Sequence, residues 1–172
     1  MAENAEVELL IPSEIYVKEI ASFRQEFLES KDYMDGCGAL RKFENPLDYI
    51  ENSKLRASRE AAIGDVGSYA QQWICVRKDD KKIVGMVQYR YDAEDEFKIG
   101  YSVRPSERGK GYAKWMLKQV LMWCQNRGMK EVIIACESSN IASKNVIIKN
   151  EGIYIETIYI KNIELEKYRI IL

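Results

Sequence analysis

The chain has 172 residues, with 26 Lys and Arg against 27 Asp and Glu and no histidine. A chain of this length is expected to form one domain over residues 1–172 with a sizeable core. Its 47% of hydrophobic residues excludes wholesale disorder, and a net charge of −1 gives no indication of nucleic acid or an anionic membrane as partner. The lack of histidine excludes Ser-His-Asp catalysis, Cys-His catalysis and His-bearing zinc sites.

The cysteines, Cys37, Cys75, Cys124 and Cys136, form no CxxC pair. A cysteine-only zinc site normally uses such pairs, so no metal is expected. Three of them lie inside apolar runs, which favours buried hydrophobic side chains. The acidic opening MAENAEVELL is unlike a secretory signal, and no apolar run approaches the ~20 residues of a membrane span. A cytoplasmic protein with reduced thiols is therefore expected.

The N-terminal part of the chain predicts one strand and two helices. The segment at 6–11 (EVELLI) indicates a short strand, and Ser13 then caps a helix with apolar residues near helical spacing. The sequence DGCG at 35–38 predicts a turn, and Asn45-Pro46 begins a second helix because proline fits the first helical turn. The segment at 63–68 (IGDVGS) is predicted as a loop.

The rest of the chain predicts six strands and two helices. The strands are apolar segments bounded by turns, at 73–76, 83–91, 97–103, 131–136, 153–160 and 165–172. A strong helix spans 111–127 and ends at Gly128, and another spans 140–149 with Asn140 as its cap. The order β-α-α-β-β-β-α-β-α-β-β predicts one mixed α/β domain, with a central, mostly antiparallel mixed sheet flanked by helices.

The most informative segment is 104–113, RPSERGKGYA, which joins a strand to the strong helix. Its two glycines allow a tight turn with exposed backbone N–H groups, and the following helix adds its own unpaired N–H groups and a partial positive charge. Arg104, Arg108 and Lys110 add three cations. Together these features suit a diphosphate or polyphosphate, although a plain tight turn also explains a lone GxG. Neither the P-loop pattern nor GxGxxG is present.

This segment resembles the acetyl-CoA loop of the GNAT N-acetyltransferase superfamily, whose pattern is Gln/Arg-x-x-Gly-x-Gly/Ala. Every specified position of that pattern is matched by the run Arg108-Gly109-Lys110-Gly111-Tyr112-Ala113. A second stretch, Asn140-Ile-Ala-Ser143, is similar to the family's Asn-x-x-Ala/Ser segment at the start of the next helix. The resemblance implies a GNAT-like domain, with the pyrophosphate of acetyl-CoA on the backbone amides of the loop.

The resemblance also places the pantetheine arm of the coenzyme. That arm would lie along the strand at 97–103, where this strand splays from its parallel neighbour at 131–136. Tyr101 and Val103 would offer it backbone groups, while Asn140 would contact it and Ser143 would lie nearby. Helix capping alone also explains Asn140. Independently, Gly100 interrupts the first of these strands, which indicates a bulge or a close backbone approach.

The function that the resemblance implies is acetyl transfer from acetyl-CoA to a primary amine, which attacks the thioester directly. The alternative is a GNAT-fold module that senses acetyl-CoA or a metabolite without turnover. Residues 101–172 carry 12 Lys and Arg against 7 Asp and Glu, which fits a phosphate-rich coenzyme. Residues 1–60 carry 8 Lys and Arg against 13 Asp and Glu, and this acidic excess hints at a cationic acceptor, although solvated surface charge explains it too. The expected acceptor is a small-molecule or peptide amine, and a homodimer stays open.

Catalysis without histidine needs another group to take the proton of an ammonium acceptor. The family often places a Glu on the strand before the phosphate loop, and Glu96 stands at the start of that strand; an acidic hairpin turn explains it as well. Many relatives carry a Tyr general acid seven residues after the helix-opening Asn, where this chain has Ile147. Tyr154, Tyr112 and Cys136 are the candidate substitutes. A thiol with a pKa of about 8.5 also leaves without an acid.

Overall fold

The computed structural model of the chain describes residues 6–62 and 68–172, so nearly all of the loop predicted at 63–68 lies outside the described residues. Four helices longer than one turn lie in these ranges: α1 (Val17–Ser30), α2 (Pro46–Ala57), α3 (Tyr112–Gln125) and α4 (Ile141–Ile148). The strands in the same ranges are β1 (Val7–Leu10), β2 (Ala70–Arg77), β3 (Ile83–Arg90), β4 (Ile99–Val103), β5 (Glu131–Glu137), β6 (Ile153–Ile160) and β7 (Ile163–Ile171). Their order is the predicted one.

The strands form two antiparallel sheets, with orders β1-β2-β3-β4 and β5-β7-β6. The mixed α/β class is confirmed, but the expected single sheet is divided, since β4 and β5 share no hydrogen-bonded ladder among the described residues. The two edges come together at the 3-10 turn Asp95–Phe97, which packs against β5. Beyond it side chains fill the gap, as where the Tyr101 hydroxyl meets Ser143 of α4.

Two hydrophobic clusters cover opposite faces of the first sheet. Ile20, Phe23 and Phe27 of α1 are fully buried against one face. Met116 and Leu117 of α3 are fully buried on the other, in a cluster that also takes in the apolar side chains of the second sheet. Each such side chain stabilises the fold by ~1.5–3 kcal/mol, and α3 contributes several of them to the cluster shared by the two sheets.

All four cysteines are buried, which confirms the prediction for the three that lie in apolar runs. Burial raises the pKa of the Cys75 thiol to about 12 and that of Cys124 to about 11, so neither is poised as a thiolate. The described residues contain no group of three His, Cys, Asp or Glu side chains placed to hold a metal ion. None of the helices in the described ranges is long and apolar enough to cross a membrane.

Two predicted boundaries differ from the structure near the ends of elements. A 3-10 turn, Glu14–Tyr16, follows Ser13 before α1 begins, and the Ser13 side chain makes no capping hydrogen bond. The strand predicted from 97 begins at Ile99, because Asp95–Phe97 closes a 3-10 turn in which Phe97 N–H donates to the Glu94 carbonyl at 2.9 Å. Glu96 consequently lies in this turn and not on the strand.

Candidate active site

The outer edge of β4 directs backbone groups toward the second sheet. Arg104 N–H donates to the Val84 carbonyl of β3 at 2.9 Å, so the backbone groups of Ser102, two residues earlier, also face β3. By the same alternation, the N–H and C=O groups of Tyr101 and Val103 point away from β3. These are the two residues from which backbone contacts to pantetheine are expected.

The loop after β4 exposes its backbone at a helix N-terminus. Gly109 and Gly111 adopt φ +78° and +87°, in the left-handed region that glycine enters without strain. A Cβ at Gly109 would meet no atom within 4 Å, so this glycine serves the backbone conformation and not a tight contact. Gly111 caps α3, whose first turn holds no acidic residue and includes Ala113. The N–H groups and partial positive charge of α3 therefore face outward, where an anion can bind.

Arg104 is not part of this exposed surface. Its side chain is 3% exposed, and its guanidinium pairs with Glu19 at 3.2 Å and with Glu26 at 3.7 Å, both on α1. It also lies over the Phe23 ring, 5.6 Å from the centroid. The prediction that Arg104 is a cation available to phosphate is therefore wrong, because its buried side chain connects the end of β4 to α1.

The two other cations of the loop stay near the surface. Arg108 pairs with Asp32 at 2.8 Å, and its Nε donates to the Val103 carbonyl at 3.4 Å, which places the guanidinium at the open edge of β4. Lys110 Nζ lies 2.7 Å from a carboxylate oxygen of Glu107, which is buried. Both cations are thus held beside the exposed backbone of the loop.

Asn140 and Ser143 form the opposite side of the opening. Asn140 Oδ1 accepts a hydrogen bond from Ser143 N–H at 3.0 Å, which is the predicted helix cap of α4. The Ser143 hydroxyl lies 2.8 Å from that of Tyr101, whose phenol pKa is raised by burial and partly restored by this hydrogen bond. Cys136 of β5 also contacts Ser143, and burial raises the pKa of its thiol. Side chains from β4, β5 and α4 thus meet in one place.

The candidate proton donors fall in different parts of the molecule. Ile147 is fully buried in the core, so the position of the usual Tyr holds no donor. Tyr154 is 54% exposed on β6, bonded to Thr157 at 2.9 Å, and β7 separates it from the β5 edge. Tyr112 is buried, and its hydroxyl accepts a hydrogen bond from an arginine of β2 at 3.4 Å. The structure brings Cys136 to the opening and does not bring these two tyrosines there.

Glu96 lies at the end of the opening where the two sheets come together. Its side chain is 18% exposed, and its carboxylate is 3.8 Å from Lys167 Nζ of β7. Lys167 has a nearer partner in Glu156 at 3.1 Å, and its pKa is raised chiefly by that hydrogen bond. Glu96 is therefore partly desolvated and only loosely paired, in contrast to Glu94, which is exposed in the same connection.

Sequence reasoning missed the contact of the segment 35–36 with β4. A Cβ on Gly36, whose φ is +68°, would overlap the Gly100 carbonyl, and Asp35 pairs with Arg90 at 2.5 Å beside Gly100. The close approach predicted at Gly100 is therefore made by this chain's own turn. The predicted bulge is absent at Gly100, since β3 and β4 pair there without a register shift. The only signal in the sequence was the paired glycines of DGCG.

An open strand edge thus leads through a glycine turn into the N-terminus of a helix, where backbone N–H groups suit an anion. The family model described as Acetyltransferase (GNAT) domain matches residues 19–152. The chain belongs to this family of acetyltransferases.

Solved structures share this fold over almost the whole chain. One is the Microcin C7 self-immunity acetyltransferase MccE in complex with acetyl-CoA and AMP, 20% identical, with a TM-score of 0.73 and 98% of this chain and 94% of that chain covered. Another is RimL, the ribosomal L7/L12 alpha-N-protein acetyltransferase in complex with CoA, at 15% identity, TM-score 0.69 and coverage of 98% and 96%. A third, from Salmonella typhimurium, modifies the N-terminal serine of L7/L12, at 18% identity, TM-score 0.67 and coverage of 98% and 96%. No curated protein sequence matches the chain.

Proposed function

We propose that the protein transfers the acetyl group of acetyl-CoA to a primary amine of a small molecule or peptide, by direct attack of the amine on the thioester. One observation carries the proposal. The backbone groups of Tyr101 and Val103 that point away from β3 run directly into the exposed turn at 109–111, so one continuous surface offers hydrogen bonds first and an anion site second. Of these groups, the Val103 carbonyl also accepts a hydrogen bond from Arg108 Nε. A pantetheine arm followed by a pyrophosphate has this sequence of chemical groups.

The residues around the opening have separate tasks in this proposal. Bound acetyl-CoA supplies an activated acyl carbon, to which the amine nitrogen bonds while the carbon–sulfur bond breaks and its electron pair stays on sulfur. Backbone N–H groups on the open edge of β4 are the donors available to the carbonyl oxygen, where negative charge develops. Asn140 and Ser143 line the opposite side, at the N-terminus of α4.

Glu96 is the proposed base for the acceptor's ammonium proton. An alkyl ammonium has a pKa near 10.4, so most of it is protonated at neutral pH and must lose a proton before attack. Partial burial of the Glu96 carboxylate, with Lys167 only at 3.8 Å, leaves a carboxylate oxygen able to accept that proton directly or through water.

The leaving thiolate has no built-in acid in this proposal. Ile147 occupies the usual position and is fully buried, so we assign no general acid and let the thiolate leave unprotonated. Its pKa of about 8.5 makes that departure feasible near neutral pH. Ile147 is also the observation that favours the alternative, a module that binds acetyl-CoA without turnover.

The first arm of the test measures coenzyme binding by thermal unfolding. Acetyl-CoA at about 100 times its Kd is expected to stabilise the fold by about 2.7 kcal/mol, a Tm increase of roughly 5–10 °C, and AMP or NAD far less. Gly111→Val is expected to abolish the increase, because a branched side chain at φ +87° strains the turn and covers the N-terminus of α3. Gly128→Val, at φ +81° beyond α3, is the matched control and keeps the increase. Normal acetyl-CoA binding by Gly111→Val would contradict the assignment.

The second arm measures turnover with a thiol reagent that detects free CoA. The acceptors are a peptide with a free N-terminus, a polyamine and a free amino acid, each at several concentrations. We expect steady CoA release with at least one amine and the acetylated amine as product. Stabilisation by acetyl-CoA with no release on any amine would instead establish the binding module.

A further inference from the structure

A buried carboxylate lies at the start of the phosphate loop with three cations around it. Glu107 is 5% exposed at its side chain. One of its oxygens is 2.7 Å from Lys110 Nζ and 2.9 Å from Arg77 Nη1, and the other is 2.9 Å from Lys82 Nζ. A buried carboxylate is costly unless it is paired, and here pairing comes from three side chains at once.

These cations come from different elements, so Glu107 joins those elements together. Arg77 is the last residue of β2, and Lys82 lies immediately before β3. Lys110 belongs to the exposed loop itself, between the two glycines with positive φ. Through one carboxylate, the loop is therefore fixed to the hairpin that connects β2 and β3.

The charge of Glu107 is stable at physiological pH. Burial raises the pKa of its carboxyl group, but hydrogen bonds from Lys110, Lys82 and Arg77 more than offset burial and lower the pKa to about 2. The ion pairs thus persist whenever the protein is folded near neutral pH. Asp79 and Asp80 of the hairpin also pair with Arg77, so the three cations and three carboxylates of this cluster balance in formal charge.

An ordered loop matters because the exposed backbone at 108–111 must present several N–H groups together. Fixing the backbone of a residue costs conformational entropy, so a loop that is already fixed binds an anion more tightly than one that must be ordered on binding. Glycines with positive φ make such a loop flexible without an anchor.

We propose that Glu107 is a positioning residue for the phosphate groups of the coenzyme: it fixes the 108–111 loop and holds Arg77, Lys82 and Lys110 beside it. This inference rests on the proposed coenzyme site and names the residue that orders it. Glu107 does not touch the coenzyme and acts through the loop and the three cations.

Two effects of removing the carboxylate oppose each other, so the sign of the result is informative. Glu107→Gln removes a negative charge near the phosphates, and by charge alone it would tighten coenzyme binding. The same change removes the anchor of the loop and takes the shared carboxylate partner away from Lys82, Lys110 and Arg77. The positioning role predicts weaker binding.

The experiment compares the wild type and Glu107→Gln with two acetyl donors. We expect the Kd of CoA and the KM of acetyl-CoA to rise about tenfold, with kcat at saturation within about twofold. For S-acetyl-pantetheine, which carries no phosphate, kcat/KM should be unchanged. Asp80→Asn is the matched control, because Asp80 also pairs with Arg77, at 2.6 Å, but lies in the hairpin and leaves the loop anchored. It should change both CoA constants by less than about twofold.

The proposal is overturned by unchanged or tighter CoA binding in Glu107→Gln, by equal losses with both donors, or by an equal loss in Asp80→Asn. If Glu107→Gln does not fold, Lys82→Met tests the same anchor from the hairpin side while leaving Glu107 and Lys110 in place. It should raise the Kd of CoA about threefold, and an unchanged Kd overturns the proposal. Absence of CoA binding by the wild type would instead refute the proposed function.

Discussion

At the scale of single residues, acidic side chains of the N-terminal portion pair with arginines from later in the chain. Glu19 and Glu26 pair with Arg104, and a third arginine pair joins Asp35 to Arg90 across 55 positions. The uneven distribution of charge along the sequence is in part this complementarity between α1, the turn after it and the strands. A cationic acceptor is therefore not needed to explain the acidic N-terminal portion.

Glu96 gives the first prediction at this scale. Glu96→Gln keeps the shape of the side chain and removes the basic oxygen, so kcat/KM at neutral pH should fall by ~10²–10⁴-fold. CoA affinity should barely change, because the phosphate loop lies at the other end of β4. Raising the pH should restore part of the rate, because more of the acceptor arrives neutral. The measurement is a pH profile of kcat/KM together with the Kd of CoA.

The control for Glu96 is Glu94→Gln, which removes an exposed carboxylate from the same connection. Glu94 forms no part of the opening, so its variant should keep the wild-type rate. Equal and small losses in the two variants would show that water takes the proton and that Glu96 serves only the acidic turn.

At the scale of elements, the sequence predicts what local patterns determine. The loop at 108–113 and the Asn140 cap depend on neighbouring residues, so their conformations follow from the sequence nearby. The separation of β4 from β5 was expected only from the family resemblance. The burial of Arg104 and the ion pairs of Glu107 depend on segments far apart in the chain. Such contacts leave no periodic signal, which is why they were missed.

The contact between Gly36 and β4 gives a prediction about stability. Gly36→Ala should destabilise the fold by more than about 3 kcal/mol, because the new methyl overlaps the Gly100 carbonyl in addition to the strain of φ +68°. Gly128→Ala has comparable strain, at φ +81°, with no atom within 4 Å of the methyl, and should cost only about 1–2 kcal/mol. Urea unfolding of both variants gives the two free energies. Equal losses would mean that the turn at 35–36 does not press on β4.

At the scale of the whole molecule, the opening exists because β4 and β5, which face each other across it, share no hydrogen-bonded ladder. The apolar side of α3 packs with both sheets, so side chains and not a shared ladder hold the halves together. An unpaired strand edge is normally a liability that proteins protect. Here the Arg108 guanidinium lies at the edge of β4 and donates a hydrogen bond to the Val103 carbonyl. The fold thus leaves free the outward backbone N–H groups of β4 that a ladder with β5 would use.

The unfolding free energy of the whole fold depends on pH, and the ionised Glu107 carboxylate contributes to this dependence. Its carboxyl pKa is about 2 in the folded protein against 4.5 in the unfolded chain, so folding favours the ionised form. The resulting stability is fully present above about pH 4.5 and is lost as the pH falls toward 2.

Glu107→Gln lacks this contribution at every pH, and a protonated Glu resembles Gln in shape and charge. We therefore expect wild type and variant to differ by about 1–3 kcal/mol in unfolding free energy at pH 6 and to converge near pH 2. Other carboxylates with lowered pKa, such as Asp80, titrate in both proteins and cancel in the difference. Urea unfolding at pH 6, 4 and 2.5 measures this difference in unfolding free energy. A difference that stays constant over this range would show that the three cations do not hold the Glu107 carboxylate in its ionised form.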